Sequence, residues 1–188
     1  LRADGVEAMA VCAYLAKLGT SEAIEPYYNL QALADSLDFA KIGRAQPKFS
    51  EEELLHFNTR YVRSLPYAAV RERINVDESF WEAVKGNLHS VDDIKIWETI
   101  CRQEIEPQIE DALLTDAAAE LLPPEPWDIT TWNTWIERLK PRTDKKGRAL
   151  FHPIRLALTA RDDGPELQQL LPLIGRDKAY RRLKGQKS

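Results

Sequence analysis

The sequence predicts an all-α protein. Apolar residues recur at helical spacing along nearly the whole chain, no stretch alternates apolar and polar residues over strand length, and helix-start residues repeatedly precede the periodic segments. Asp4 with Glu7 has the spacing of a capping box and Gly19 is a stop, which predicts a helix between them. Its stretch Ala8–Ala16 is apolar around the whole circumference and must be covered on more than one side. Ser50 with Glu53 repeats the start signal ahead of Leu54, Leu55, Phe57, Tyr61, Val62 and Leu65, which share one helical face. Pro66 starts a short helix carrying Ala69, Val70 and Ile74. Asp77 caps a segment with Phe80, Trp81, Val84 and Leu88, and Ser90 with Asp93 opens one whose inner face holds Val91, Ile94, Trp97, Ile100 and Cys101. Further helices are expected at 107–121, 131–140, 153–161, 165–174 and 176–184, with Pro153 and Pro165 at first helical positions and Gly175 and Gly185 as stops. Composition turns acidic between Asn75 and Asp77, and Pro123-Pro124-Glu125-Pro126 reads as a rigid, extended spacer. Boundaries at these points divide the chain into 1–75, 76–126 and 127–188.

Composition excludes several classes. A chain of 188 residues with 44% hydrophobic and 30% charged side chains has the balance of a globular, not a disordered, protein. The longest apolar run, Ala8–Ala16, is far shorter than the ~18 residues of a membrane span. Cys12 and Cys101 are too sparse for a disulfide framework or a zinc site, and no secretory pattern opens the chain. A start at Leu1, without Met, leads us to expect a segment of a longer protein. Charge is uneven: residues 74–136 hold 3 basic and 14 acidic side chains, whereas 137–188 hold 14 basic and 6 acidic. Either the basic end docks an anionic partner, or the two regions attract each other within the fold; charge alone leaves both open.

No phosphate-binding glycine loop, nucleophile elbow, HExxH or CxxC occurs, and His56, His89 and His152 lack metal-ligand spacing, so no metal site and no catalytic residue is expected. His56 and Asn58 read as surface groups. The doublets Asp92-Asp93 and Asp162-Asp163 lie at helix ends, where carboxylates serve as caps. Among the tryptophans, Trp81 and Trp97 fit core positions, while Trp127, Trp132 and Trp135 follow the proline spacer and would pack two domains together rather than stack on bases. The cations carry more information. Lys145-Lys146-Gly147-Arg148 is expected in a loop and Arg155 in the first turn of the following helix, where the positive helix end opposes a cation by about 0.3–1 kcal/mol. An approaching anion or base edge would account for a cation there, and so would an ion pair with the acidic middle. The loop from Ser36 to Ser50 adds Lys41, Arg44 and Lys48, suited to a sugar–phosphate backbone or simply to solvent.

Three blocks of residues go further. They are Leu1-Arg2-Ala3-Asp4-Gly5 through Leu18-Gly19-Thr20-Ser21, Leu37-Asp38-Phe39 through Ser50, and Gly147-Arg148-Ala149-Leu150-Phe151-His152-Pro153-Ile154-Arg155-Leu156-Ala157-Leu158-Thr159 with its continuation through Gly164-Pro165-Glu166-Leu167, Leu173-Ile174-Gly175-Arg176 and Arg181-Arg182-Leu183. In order and spacing they resemble the C-terminal, tRNA-binding half of bacterial glutamyl-tRNA synthetases along essentially the whole chain. The resemblance implies a helical stem-contact domain followed by a two-part helical anticodon-binding domain of the class I synthetase, α-helix cage type. It implies that Lys41, Ile42, Arg44 and Lys48 touch the tRNA stem, and that Arg155, Gly164, Pro165 and Leu167 lie near the anticodon bases. Lys145, Lys146 and Arg148 would add backbone contacts. The family's His-Ile-Gly-His and Lys-Met-Ser-Lys-Ser type motifs occur nowhere here. ATP and Mg²⁺ would therefore belong to a catalytic domain elsewhere in the parent chain, and this segment alone is expected to charge no tRNA. The implied protein is a cytoplasmic, monomeric ligase with no membrane association. One departure stands out. Members restricted to glutamate tRNA carry an arginine in the acidic middle, near the stretch aligned with Asn87-Leu88-His89-Ser90, and this chain has none between Arg73 and Arg102. Its partners are therefore expected to be tRNA(Glu) and also tRNA(Gln). The alternative is an all-α protein-interaction module with a basic C-terminal docking surface.

Overall fold

The computed structural model describes residues 1–44 and 46–188, and Ala45, inside the expected stem-contact loop, lies outside them. The described residues form helices and no strand, with one isolated bridge between Thr20 and Ile42. No helix among them is long and apolar enough to cross a membrane. The chain divides into two units, Leu1–Ile94 and Lys95–Ser188. The division falls inside the segment 76–126, because the chain after Asn75 keeps packing on what precedes it. Trp81 is fully buried and donates from its indole nitrogen to the Leu65 carbonyl (3.1 Å), and Asn58 donates to the His89 carbonyl (3.1 Å).

The N-terminal unit holds α1 (Ala8–Lys17), α2 (Leu30–Asp35), α3 (Glu51–Ser64), α4 (Tyr67–Val70) and α5 (Glu78–Val84). Helix α1 lays Ala10, Ala13 and Tyr14 against α3, which buries Leu54, Phe57, Tyr61 and Val62. The caps read from the sequence form at three places. Ser50 Oγ accepts from the Glu53 amide, Asp77 accepts from Phe80, and Ser90 and Asp93 make a reciprocal box at one turn of 3₁₀ helix, Val91–Asp93. The Asp4–Glu7 box does not form: Glu7 is itself the N-cap position, and its carboxylate is held by both terminal guanidinium nitrogens of Arg73 (2.6 and 2.9 Å). Asn58 corrects a second expectation. It is buried, accepting from the Glu7 amide (2.8 Å) while donating to the His89 carbonyl, and so satisfies backbone groups that α1 and the 89 turn leave open.

The C-terminal unit holds most of α6 (Ile94–Arg102), then α7 (Ala112–Glu120), α8 (Thr131–Leu139), α9 (Arg148–Thr159), α10 (Leu167–Ile174) and α11 (Arg176–Leu183). Its core joins Trp135, whose indole donates to the Ala118 carbonyl (2.9 Å), to Leu114, Leu139, Leu150, Ile154, Leu158, Leu170 and Leu183. Trp127, Trp132 and Trp135 all lie within this unit, where Trp127 and Trp135 bond to the segment before Pro126. The proline-rich segment is part of it too. Trp127 turns back to donate to the Pro123 carbonyl (3.1 Å), as does the Arg176 Nε (3.1 Å), so the expected extended spacer is a packed turn. Helix α7 begins at Ala112, not 107, because Ile105 exchanges backbone hydrogen bonds with Ser188 and Gln108 donates to Leu156. Arg182, fully buried, donates to the carbonyls of Ser188 (3.0 Å), Leu158 (2.8 Å) and Gln103 (3.1 Å) and locks the C-terminus against α9.

Candidate nucleic-acid interface

Helix α9 starts at Arg148, five residues before the expected Pro153, with Gly147 at its N-cap at a positive φ (+54°). Pro153 sits inside the helix and forfeits the hydrogen bond to the carbonyl of Ala149, an exposed residue where solvent can take it. Arg155 therefore lies two turns in, and the argument from the positive helix end does not apply to it. Pro165 also precedes its helix, which begins at Leu167.

Arg155 is instead positioned by the chain that follows α9. Its Nη2 donates to the Pro165 carbonyl (3.0 Å), while Nη1 is buried with no hydrogen-bond partner. Burial lowers the affinity of this guanidinium for its proton, with Asp163 acting in the opposite sense. The 159–165 turn that supplies the carbonyl is built tightly. Thr159 donates to the carbonyls of Arg155 and Arg161, and Gly164 sits at φ +128° against Trp97. A β-carbon at Gly164 would come 2.0 Å from the Trp97 ring. Glycine is required there by both space and backbone angle.

These elements enclose a cleft of about 490 Å³ whose walls include Trp132, Arg148, Phe151, Arg155, Glu166 and Leu167. Trp132 is half-buried, 5.6 Å from Trp135 at 78° and 6.0 Å from Phe151 at 41°. A second hollow of about 420 Å³ adjoins the start of α9 and is lined by Lys140, Lys145, Lys146 and Gly147. The two differ in charge. The first mixes arginines with Asp162, Asp163 and Glu166, which repel phosphate but can accept from base amino groups; the second is basic. Chemically, one suits base edges and the other a backbone.

Of the residues expected at the anticodon side, Arg155, Arg148 and Leu167 meet at the cleft, with Pro165 holding Arg155 and Gly164 packed on Trp97. Lys146 and Lys145 line the adjoining hollow, and the Lys145 ammonium is paired with Asp111. Part of the basic tail is spent internally in the same way: Lys184 pairs with Asp116 (2.9 Å), and Lys178 donates to the Cys101 and Arg102 carbonyls at the end of α6. Arg138, Lys140, Arg142, Lys146 and Arg148 are exposed and in no ion pair among the described residues, so an open positive surface remains around 138–148. Trp132 and Phe151 are aromatic wall residues that sequence reasoning did not single out as binding groups, nor did it single out the carboxylates of Asp162, Asp163 and Glu166. Trp132 lies beside the buried stripe Thr131, Trp135, Ile136 and Leu139, and that border position was the available signal.

In the N-terminal unit the expected stem contacts lie on one exposed loop. Gly43 donates to Gly19 (2.8 Å) and Ser21 to Lys41 (3.3 Å), pinning it to the end of α1. Lys41 pairs with Glu22 (2.6 Å), which also holds the buried Lys17 (2.8 Å). Hydrogen bonds from the two lysines pull the Glu22 carboxyl down to about 2. Arg44 and Lys48 are exposed and in no ion pair among the described residues, and Ile42 and Phe39 project into solvent beside them.

Comparison with known proteins identifies the family and the fold. Residues 22–186 fit the family model of an anticodon binding domain. The glutamate–tRNA ligase of Azospirillum brasilense is 44% identical over 97% of this chain, and glutamate–tRNA ligase 1 of Rhodospirillum rubrum is 44% identical over all of it. The chain spans 42% and 43% of those relatives' lengths, respectively. Among solved structures, a glutamate tRNA ligase from Elizabethkingia meningosepticum superposes with a TM-score of 0.74 over 97% of this chain and 41% of its own, at 20% identity, and so shares the fold. With a helical cage around an arginine cleft and a family match running through both units, the chain belongs to the anticodon-binding-domain family.

Proposed function

We propose that this chain is the tRNA-binding portion of a glutamate–tRNA ligase, which joins glutamate to its tRNA using ATP and Mg²⁺ held in the rest of the parent protein. The names of the relatives and the family match support this reading. The observation that carries it is the cleft in which Arg155, anchored on the Pro165 carbonyl, keeps a buried Nη1 without a partner. A guanidinium that lines the cleft and is fixed at one nitrogen is suited to the keto oxygen or ring nitrogen of an unpaired base. The anticodon would enter this cleft, its backbone lying along Lys146 and Arg148. Segment 1–75 would serve as the stem-contact domain through Lys41, Ile42, Arg44 and Lys48, with 76–126 and 127–188 as the two anticodon-binding parts. The parent would act as a monomer in the cytoplasm.

Titration of the chain with glutamate tRNA, at several salt concentrations and with Arg155→Ala alongside, tests the assignment. Affinity should fall by orders of magnitude between about 50 and 200 mM salt if several phosphates are bound. Flat salt dependence would favour the protein-interaction reading, and unchanged binding by Arg155→Ala would remove the role of Arg155. The absence of an arginine between Arg73 and Arg102 supports weak discrimination between glutamate and glutamine tRNAs. A preference of about 50-fold or more, roughly 2.3 kcal/mol, would reject that part.

A further inference from the structure

We infer that Trp132 is a stacking platform for one unpaired nucleobase, which makes the cleft a subsite that grips a base by its face as well as by its edge. The inference rests on the tRNA-binding reading above and deepens it. Two other tryptophans of this unit are sealed: Trp135 is fully buried with its indole hydrogen-bonded, and Trp97 is packed under Gly164. Trp132 differs from both and is the tryptophan that lines the cleft. It is partly exposed, and neither aromatic neighbour lies parallel to it, since Trp135 stands at 78° and Phe151 at 41°. The two rings brace the indole without stacking on it. Arg155, whose Nη1 is unpartnered, and Arg148 line the same cleft. An aromatic face, an edge-reading donor and a phosphate-binding cation on one cleft are the three contacts that a splayed nucleotide requires. The carboxylates of Asp162, Asp163 and Glu166 disfavour an anionic occupant, so it is the uncharged base that enters and the phosphate that stays toward Arg148.

The test uses the full chain and an RNA stem closed by an unpaired loop of the glutamate anticodon sequence, with each loop position in turn made abasic, and the same stem as a plain duplex. The wild type should prefer the looped RNA and lose affinity at one abasic position more than at the others. Trp132→Phe keeps a ring and should stay within about threefold of wild type, whereas Trp132→Leu keeps the apolar bulk and should bind about tenfold more weakly. In Trp132→Leu the penalty at the sensitive abasic position should disappear, because base and ring form one contact. Full penalties in Trp132→Leu, or wild-type affinity for the loop, would overturn the stacking role while leaving the tRNA-binding reading intact. Failure of the wild type to distinguish loop from duplex would overturn both. If Trp132→Leu does not fold, fluorotryptophan labelling with Trp132→Phe to assign the resonance gives the same answer. The Trp132 signal should shift on saturation with the looped RNA and not with the sensitive abasic RNA, and a signal that stays put would overturn the proposal.

Discussion

The two cationic regions of this molecule differ in how their charge is held. In the C-terminal unit, Arg155 lines a formed cleft, oriented by a backbone carbonyl and partly stripped of solvent, with Trp132 and Phe151 in the walls. In the N-terminal unit, Arg44 and Lys48 ride on an exposed loop, and Lys41 already shares Glu22 with a buried lysine. A preorganised, desolvated donor discriminates between bases, because a wrong partner leaves it unpaired. Exposed cations contribute attraction that salt screens and that any phosphate satisfies. The same residue types thus divide into reading and holding, and the division is set by burial, not by charge.

That contrast can be broken in several places. The largest effect is expected at Gly164. Replacement by alanine meets both a φ of +128° and the Trp97 ring, and strain and overpacking together should lower unfolding stability by about 2–5 kcal/mol. Denaturant unfolding of Gly164→Ala near wild-type stability would show that the turn orienting Arg155 is soft. Next comes Arg155 itself: Arg155→Ala should weaken binding to the anticodon hairpin by about 10- to 100-fold, and Arg155→Lys should recover little, because the planar fork and not the charge is used. Smaller again is the paired substitution Lys146→Ala with Arg148→Ala. It should reduce the slope of log affinity against log salt by about 1.4–1.8, with loss spread evenly across loop sequences. A sequence-selective loss there would erase the distinction between reading and holding.

The smallest effect concerns the N-terminal loop. Glu22 is held at about 2 in the fold against an ordinary 4.5, so its contribution to stability is complete above about pH 4.5 and is lost as pH falls toward 2. Glu22→Gln should lower stability at neutral pH and flatten the pH dependence between those values, measured by denaturant unfolding of the whole chain across pH. An unchanged slope would mean that the Lys17–Glu22–Lys41 link does not fasten this loop.

Local chemistry was legible in the sequence where it is decided within a turn or two. Ser50, Asp77 and Ser90 cap as their spacing demands, and Gly175 and Gly185 end their helices. It misled where a distant group competes. Glu7 serves Arg73 instead of its own helix, Asn58 is drawn inward by the backbone of Glu7 and His89, and Pro153 is tolerated inside α9 because the surrounding packing outweighs one lost hydrogen bond. Arg155 was visible as a cation within a family-like block, on a helix-start argument that the structure does not support. Its cleft was not, since the walls come from α8, α9 and the 162–168 turn, and nothing in the spacing of Trp132 to Gln168 dictates that they meet. The divided role of the basic tail, part spent on Asp111 and Asp116 and part open at 138–148, likewise depends on which acidic side chains the fold brings near.

The most direct trial of the cleft's role is photo-crosslinking from a loop nucleotide of the glutamate anticodon hairpin, with the attached peptide identified by mass spectrometry. Attachment within Trp132, Phe151, Arg155 or the 162–168 turn is the predicted result. Attachment confined to α11 or to the N-terminal unit, with none of those residues labelled, would contradict it.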